Sequence, residues 1–261
     1  DIIFGVVTDE DNIVVNGVEF DTDNAIITVD GSPGNVDDLK LGMIVKIKGK
    51  FHGDGTCDAA TIVTDNELEG PINNIDIDNS TLTVLGQTVI VDGDTVFKKV
   101  TGLADLVEGN VVEVHGFFDE NGSIVASRIK KKAEEALPDD KFEVSGTIVD
   151  LDVSTGTFFI GALPVDYITE FAELPSGGIK EGDFVEVEGY LFNGTLYATE
   201  IELEDEFDFE EGDKLKIEGI ITSVVGSQFV INGLTVEYSS STEFKKGEAT
   251  GLDVGIKVRV E

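Results

Sequence analysis

The chain has 261 residues, of which 41% are hydrophobic and 27% are charged, so it is apolar enough to fold rather than to stay disordered. Its 53 acidic residues against 18 basic ones give a net charge of −35, which repels nucleic-acid backbones and anionic membrane surfaces. Because of this charge we expect no nucleic-acid partner. No apolar run approaches the roughly 20 residues that span a bilayer, so we also expect no membrane insertion.

One segment, a glycine followed by a strand with alternating apolar residues, occurs four times, and we call it the signature strand. The four copies begin at Gly42, Gly109, Gly182 and Gly255. A repeat of this kind predicts an array of similar units. We place the units at residues 1–66, 67–132, 133–204 and 205–261.

In chain order, each unit opens with a short strand and a glycine, and a hairpin follows. The hairpin turn glycines are in register at Gly17, Gly86, Gly161 and Gly233. Two of the turns read Asn-Gly, which is the strongest short-range hairpin signal. The last three units then carry a Thr-x-Phe element, and we expect its aromatic ring to plug one end of the unit. These rings belong to Phe97, Phe171 and Phe244.

The signature strand comes next, with its apolar residues pointing inward at every second position. The residues between them are expected to face water: Lys46, Lys48, Glu113, His115, Glu186 and Glu188. A closing strand with an Ala-x-x-Ile pattern completes the first three units, at residues 59–62, 126–129 and 198–201. About five short strands with regular turn signals predict a small closed barrel and an all-β chain with little helix.

The glycine-bounded strand, the Ala-x-x-Ile strand and the Thr-x-Phe element together resemble the bacterial domain of unknown function family 5666. The resemblance extends over nearly the whole chain as four units. It implies an OB-like barrel for each unit, and therefore four tandem barrels in an elongated array. It also implies export to the cell surface, periplasm or extracellular space after removal of a signal peptide. The family brings no catalytic residue with it.

Nucleophilic chemistry has little support among the residues. Cys57, the single cysteine, aligns with Ile124 and Leu196 and is expected to fill a core slot rather than act as a thiol nucleophile. His52 lies in a turn and His115 at a predicted outward position, so neither is expected to be a general base. We therefore predict that the protein is not an enzyme, with no catalytic, cofactor-binding or metal site residues to name.

Acidic turns offer the better chemical alternative, because hard cations such as calcium prefer oxygen ligands. They lie at residues 21–24, 76–79 and 92–94. None matches an EF-hand loop, and Asp and Asn also favour turns for their own backbone reasons. We expect no cofactor beyond calcium at low affinity. Asn-x-Ser/Thr sequons at Asn79, Asn121 and Asn193 are expected by chance in such a chain.

The fourth unit ends at its signature strand and lacks the closing strand of the other three. Two explanations remain open: the natural chain continues past Glu261, or another chain supplies the strand. The first is favoured because no spare strand is evident. We predict a structural or adhesive protein of the cell envelope or extracellular space that self-associates head to tail, even into a filament. The alternative is a cation- or glycan-binding module that uses the acidic turns.

Overall fold

The computed structural model describes residues 1–52, 56–204, 209 and 212–261. Its regular structure is almost entirely β, as the alternating patterns predict. Repeat one contains β1 (Ile2–Asp9), β2 (Val14–Val15), β3 (Val18–Asp21), β4 (Ile26–Val29), β5 (Ser32–Pro33), β6 (Ile44–Phe51) and β7 (Thr56–Thr64). Repeat two contains β8 (Leu68–Asp76), β9 (Thr81–Val84), β10 (Gln87–Ile90), β11 (Val96–Lys98), β12 (Val111–Phe118) and β13 (Ile124–Ala133).

The second half of the chain follows the same order with fewer strands. Repeat three contains β14 (Lys141–Asp152), β15 (Thr157–Ile160), β16 (Leu163–Asp166), β17 (Phe184–Phe192) and β18 (Thr195–Leu203). Repeat four contains β19 (Leu215–Val225), β20 (Gln228–Ile231), β21 (Leu234–Glu237) and β22 (Lys257–Val260). Short 3-10 helices at Val36–Asp38, Leu103–Asp105 and Ala249–Gly251 precede three of the signature strands.

The predicted hairpins are present, and the asparagine before the turn glycine has a second role. Asn16 and Gly17 both adopt positive φ, at 55° and 75°, as a tight two-residue turn requires. The Asn16 side chain then lies over Gly5, where a Cβ atom would approach its amide oxygen to 2.5 Å. Its Nδ2 donates to the carbonyl oxygen of Phe4 at 2.9 Å. The opening glycine of the repeat therefore makes room for the hairpin turn.

Strand pairing closes each of the first three repeats into a ring of five strands. In repeat one, β1 pairs with β2, β2 with β3, β3 with β7, β7 with β6, and β6 again with β1. Repeats two and three have the same order, with one parallel pair joining the third strand to the closing strand. Alternate residues of these strands point into the ring and form its core.

The repeats are not separate, and the expectation of four separate barrels is corrected on this point. Repeats one and four belong to one compact unit, which we call unit one, and repeats two and three form most of unit two. In unit one, β1 pairs in parallel with β19; in unit two, β8 pairs antiparallel with β14. Each unit therefore holds a continuous 11-stranded sheet, a continuity between repeats that is typical of a β-solenoid.

The phenylalanines of the Thr-x-Phe elements do not share the predicted plugging role. Phe171 is 86% exposed, with a positive φ of 54°, so the prediction is wrong for this residue. Tyr167 is buried in its place and packs against Phe158, with ring centroids 5.9 Å apart. Phe97 and Phe244 are half-buried, and Phe244 packs edge-on against Tyr238 in unit one.

Candidate interaction surfaces

Cys57 occupies the core slot that the repeat alignment predicts. Its side chain is buried, as are those of its counterparts Ile124 and Leu196. Burial and the neighbouring Asp58 carboxylate raise the pKa of the thiol. His52 is partly exposed at the end of the signature strand, with its Nε2 2.9 Å from the Asp58 carboxylate. The thiol is thus a packing group, and burial makes it a poor nucleophile.

His115 is buried, with only 1% of its surface exposed, so the prediction that it faces water is wrong. All but the last residue of β12 are buried, on both faces of the strand. The period-two pattern therefore does not mark a solvent face here. The Nε2 atom of His115 lies 3.8 Å from Glu113 Oε1.

Glu113, also expected to face water, is the centre of a buried charge cluster in unit two. Its Oε2 atom accepts from Lys130 Nζ at 2.8 Å and from Lys132 Nζ at 2.9 Å. Burial raises the pKa of the Glu113 carboxyl, but the nearby His115 side chain and the hydrogen bonds from the two lysines outweigh burial and hold the pKa far below its usual range. Lys132 also contacts Glu69 at 2.9 Å, and its own pKa is raised despite burial.

Glu113 is one end of a row of glutamates that crosses five paired strands of unit two. Registered pairs share one face of a sheet, so these side chains are direct neighbours. The row reads Glu113, Glu69, Glu143, Glu188 and Glu200. Like charges placed opposite each other are destabilising.

The two ends of this row differ in their electrostatics. Lysines contact the carboxylates at the Glu113 end, and Lys141 contacts Glu188 in the middle. At the other end, burial and the nearby carboxylates of Glu202, Glu173 and Glu188 raise the pKa of Glu200. The negative charges of the row are therefore paired with lysines at the Glu113 end, whereas the carboxylates at the Glu200 end repel one another.

The three acidic turns bond to their own backbone. The Asp21 carboxylate accepts from the Asp23 amide at 3.0 Å, and Asp92 accepts from Asp94 at 2.9 Å. Asp76 accepts from both the backbone and the side chain of Asn79, and these bonds lower its pKa. Within the described ranges, no three His, Cys, Asp or Glu side chains gather into a cluster that could hold a metal ion. These hydrogen bonds stabilise the turns, and turn formation by itself accounts for the Asp and Asn residues at these positions.

The sequon asparagines lie where the sequence places them, on exposed turns between strands. Asn79 follows β8, Asn121 follows β12 and Asn193 follows β17.

A depression of about 810 Å³ lies in unit one, on repeat one and the start of repeat four. We call it the repeat-one depression. Its polar walls include Asp21, Asn24, Lys48 and Asp58. Its apolar part includes Ile26, which is 70% exposed. It is a concave surface lined by both acidic and basic side chains, which can form hydrogen bonds with a polar ligand.

The fourth repeat has an open edge, which we define as the outer sides of β21 and β22. In repeats one to three, the closing strand lies between the equivalents of these two strands. Among the described residues, β21 pairs only with β20 and β22 pairs only with β19.

The core behind the open edge is only partly covered. Val185 and Val187 of repeat three are fully buried, whereas their counterparts Val258 and Val260 are only half-buried. On the other side of the slot, Val236 is half-buried. The same residue types in the same register are therefore accessible in repeat four alone.

These features define an all-β tandem-repeat protein. A family model described as Domain of unknown function (DUF5666) matches residues 4–63, 69–130, 135–202 and 218–261, and the chain belongs to this family. Searches of curated proteins and of solved structures gave no match. In the part of the chain that the structure describes, no helix has the length and apolarity needed to cross a membrane.

Proposed function

We propose that the protein is a non-enzymatic structural or adhesive protein of the cell envelope or extracellular space, and that it self-associates through its β surfaces. The observation that carries the proposal is the strand pairing between repeats, of β1 with β19 and of β8 with β14, because repeats of this type join edge to edge. The same pairing between repeats of different chains would give head-to-tail contacts, and contacts of this kind propagate into filaments. The external location rests on the resemblance to repeats of exported proteins.

We also propose that each closed five-strand ring is an OB-like barrel, because the OB fold has five strands. The continuous pairing between repeats adds a second surface type, the sheet that two rings share. Both features suit a protein whose work is mechanical or adhesive.

The test of self-association is light scattering on purified protein from micromolar to millimolar concentration, followed by electron microscopy. We expect oligomers that grow with concentration, and a strict monomer throughout would overturn the proposal.

The repeat-one depression favours one second candidate, a cation- or glycan-binding module. Its carboxylates and amides match the hydrogen-bonding needs of sugars and the oxygen preference of calcium. Thermal melting with and without millimolar calcium, or with a panel of oligosaccharides, tests this candidate. A melting temperature unchanged by every ligand would remove it.

A further inference from the structure

The outer face of β17 and β18 in repeat three combines two pairs of glutamates with a pair of tyrosines, and we call it the glutamate–tyrosine face. The residues that lie opposite each other are Glu186 and Glu202, Glu188 and Glu200, and Tyr190 and Tyr197. Registered pairs share one face of a sheet. All six side chains are at least partly exposed, so this face is accessible from solution.

Most of the negative charge on this face has no counter-charge within the chain. Lys141 forms a salt bridge with Glu188. In the part of the chain that the structure describes, no lysine or arginine forms a salt bridge with Glu200 or Glu202. Like charges directly opposite each other are destabilising, so a bound cation would stabilise this arrangement.

Repeat two shows what the same positions do when the chain supplies the cation. Glu113 and Lys130 are the equivalents of Glu186 and Glu202 in the repeat alignment. The Lys130 ammonium group donates to the Glu113 carboxylate at 2.8 Å. This position of the signature strand can therefore bind an ammonium group that approaches from the neighbouring strand.

Repeat one has no acidic pairs at these positions. Its signature strand carries Lys46 and Lys48 there, opposite the neutral residues Val63 and Thr61. Among the three closed repeats, repeat three alone has carboxylates on both strands of this face. The excess of negative charge is thus particular to one repeat and is not a requirement of the fold.

Lys141 shows how this face holds a cationic side chain. It lies opposite Tyr190 on the adjacent strand β14. Its ammonium group contacts the Glu188 carboxylate and lies 5.9 Å from the centre of the Tyr190 ring. A carboxylate and an aromatic ring together attract a lysine or arginine side chain by ion pairing and by a cation–π interaction.

The spacing of the face fits an extended polypeptide. Glu186, Glu188 and Tyr190 occupy every second position of β17, so they are about 6.8 Å apart along the strand. Alternate side chains of an extended segment have the same spacing. A metal ion fits less well, because no three His, Cys, Asp or Glu side chains of the described ranges gather into a cluster that could hold one.

We propose that the glutamate–tyrosine face binds an extended basic segment of another polypeptide, with lysine or arginine at every second position. The basic side chains pair with the opposed glutamates, and the neighbouring tyrosines accept a further cation on their rings. A different polypeptide is the source because the densest basic run of this chain, residues 128–132, lies in β13. Its three lysines already contact carboxylates of repeat two.

The test uses a fluorescein-labelled peptide of eight residues in which lysine alternates with threonine. It is titrated into the full chain and followed by fluorescence anisotropy. We expect saturable binding that weakens as salt is added, because the contacts are exposed. A peptide of the same composition with its four lysines in one block should bind several-fold more weakly, since its charges no longer match the spacing of the face. Equal binding of the two peptides would contradict the proposal.

Variants of the chain separate this face from the general attraction of a protein with a net charge of −35. Glu200→Gln with Glu202→Gln should weaken binding about ten-fold, and it should leave the fold intact because it relieves repulsion. Glu108→Gln with Glu135→Gln is the matched control, with the same change of charge at exposed positions of repeat two. Equal weakening by both pairs of substitutions would show attraction by net charge alone and would overturn the proposal.

Removal of Lys141 tests the site in the opposite direction. Lys141→Met frees Glu188 and Tyr190 for the incoming peptide, so binding should become about three-fold tighter. Lys98→Met removes one positive charge at an exposed position of repeat two and is the matched control. A Lys141→Met chain that binds no more tightly than this control would contradict a cation site on β17.

The inference goes beyond the proposed function, because it requires no contact between copies of the chain. A protein that stays monomeric yet shows these differences in peptide binding retains the glutamate–tyrosine face and loses the self-association proposal. A protein that self-associates but does not bind the alternating peptide retains self-association and loses this binding face.

Discussion

Replacing Glu113 by glutamine removes the carboxylate on which two lysines and a histidine of unit two converge. The side chain of Glu113 is 3% exposed, whereas those of Lys130 and Lys132 are 27% and 32% exposed. Removing one partner of a fully buried ion pair costs about 3–5 kcal/mol. Because both lysines keep some access to water and Lys132 keeps Glu69, we expect a loss of about 2–3 kcal/mol.

The assay is urea and thermal unfolding at pH 7, followed by tyrosine fluorescence. Three of the four tyrosines, Tyr167, Tyr190 and Tyr197, lie in unit two, so the signal reports mainly on that unit. At about 3 °C per kcal/mol, the expected loss lowers the melting temperature by roughly 6–9 °C. Glu188→Gln is the matched control: its pair with Lys141 is more exposed and should contribute less than about 1 kcal/mol.

The difference between wild type and Glu113→Gln should also depend on pH. The folded-state pKa of Glu113 is depressed, so its stabilisation is fully present above the unfolded pKa of about 4.3 and is lost as pH falls below it. The two proteins should therefore converge in stability in strong acid. A Glu113→Gln chain as stable as wild type at pH 7, or a difference unchanged at pH 3, would refute the view that the buried carboxylate stabilises unit two.

Three further predictions concern packing. Gly189→Ala should cost about 1–3 kcal/mol, because the new Cβ would clash with the Tyr197 carbonyl oxygen, whereas Gly93→Ala has open space and should be neutral in urea unfolding. Phe158→Ala should cost about 3–5 kcal/mol, while Phe171→Ala should change stability by less than about 0.5 kcal/mol; equal losses would contradict the exposure of Phe171. The Cys57 thiol should react with a disulfide reagent only in denaturant, and rapid labelling of the native chain would show that its slot is open.

The sequence predicts best what repeats with a fixed local period. The Asn16-Gly17 hairpin and the inward valines of the signature strands follow from patterns within one repeat, and the core slot of Cys57 follows from aligning the repeats. Each depends on contacts between residues close in the chain or between equivalent positions that can be compared. Such contacts leave a periodic trace, and comparison of four copies strengthens it.

Pairing between repeats leaves no such trace. The register of β1 with β19 joins residues more than two hundred positions apart. The alternation of apolar residues within either strand does not identify the strand with which it pairs. For the same reason the sequence did not predict the burial of His115: a residue at an outward position is exposed only if nothing covers that face. The prediction for Phe171 is wrong in the opposite sense, since this side chain is exposed rather than buried. In that repeat Tyr167 already occupies the position in the core next to Phe158.

Two buried glutamates are each paired with basic residues of their own repeat. Glu218 of repeat four is nearly buried and contacts Lys257 at 3.0 Å and Arg259 at 3.3 Å. Glu113 of repeat two likewise contacts Lys130 and Lys132. In both units the counter-charges come from the same repeat as the glutamate. A repeat can therefore fold with this carboxylate already paired, so that burying the carboxylate does not leave its charge without a partner.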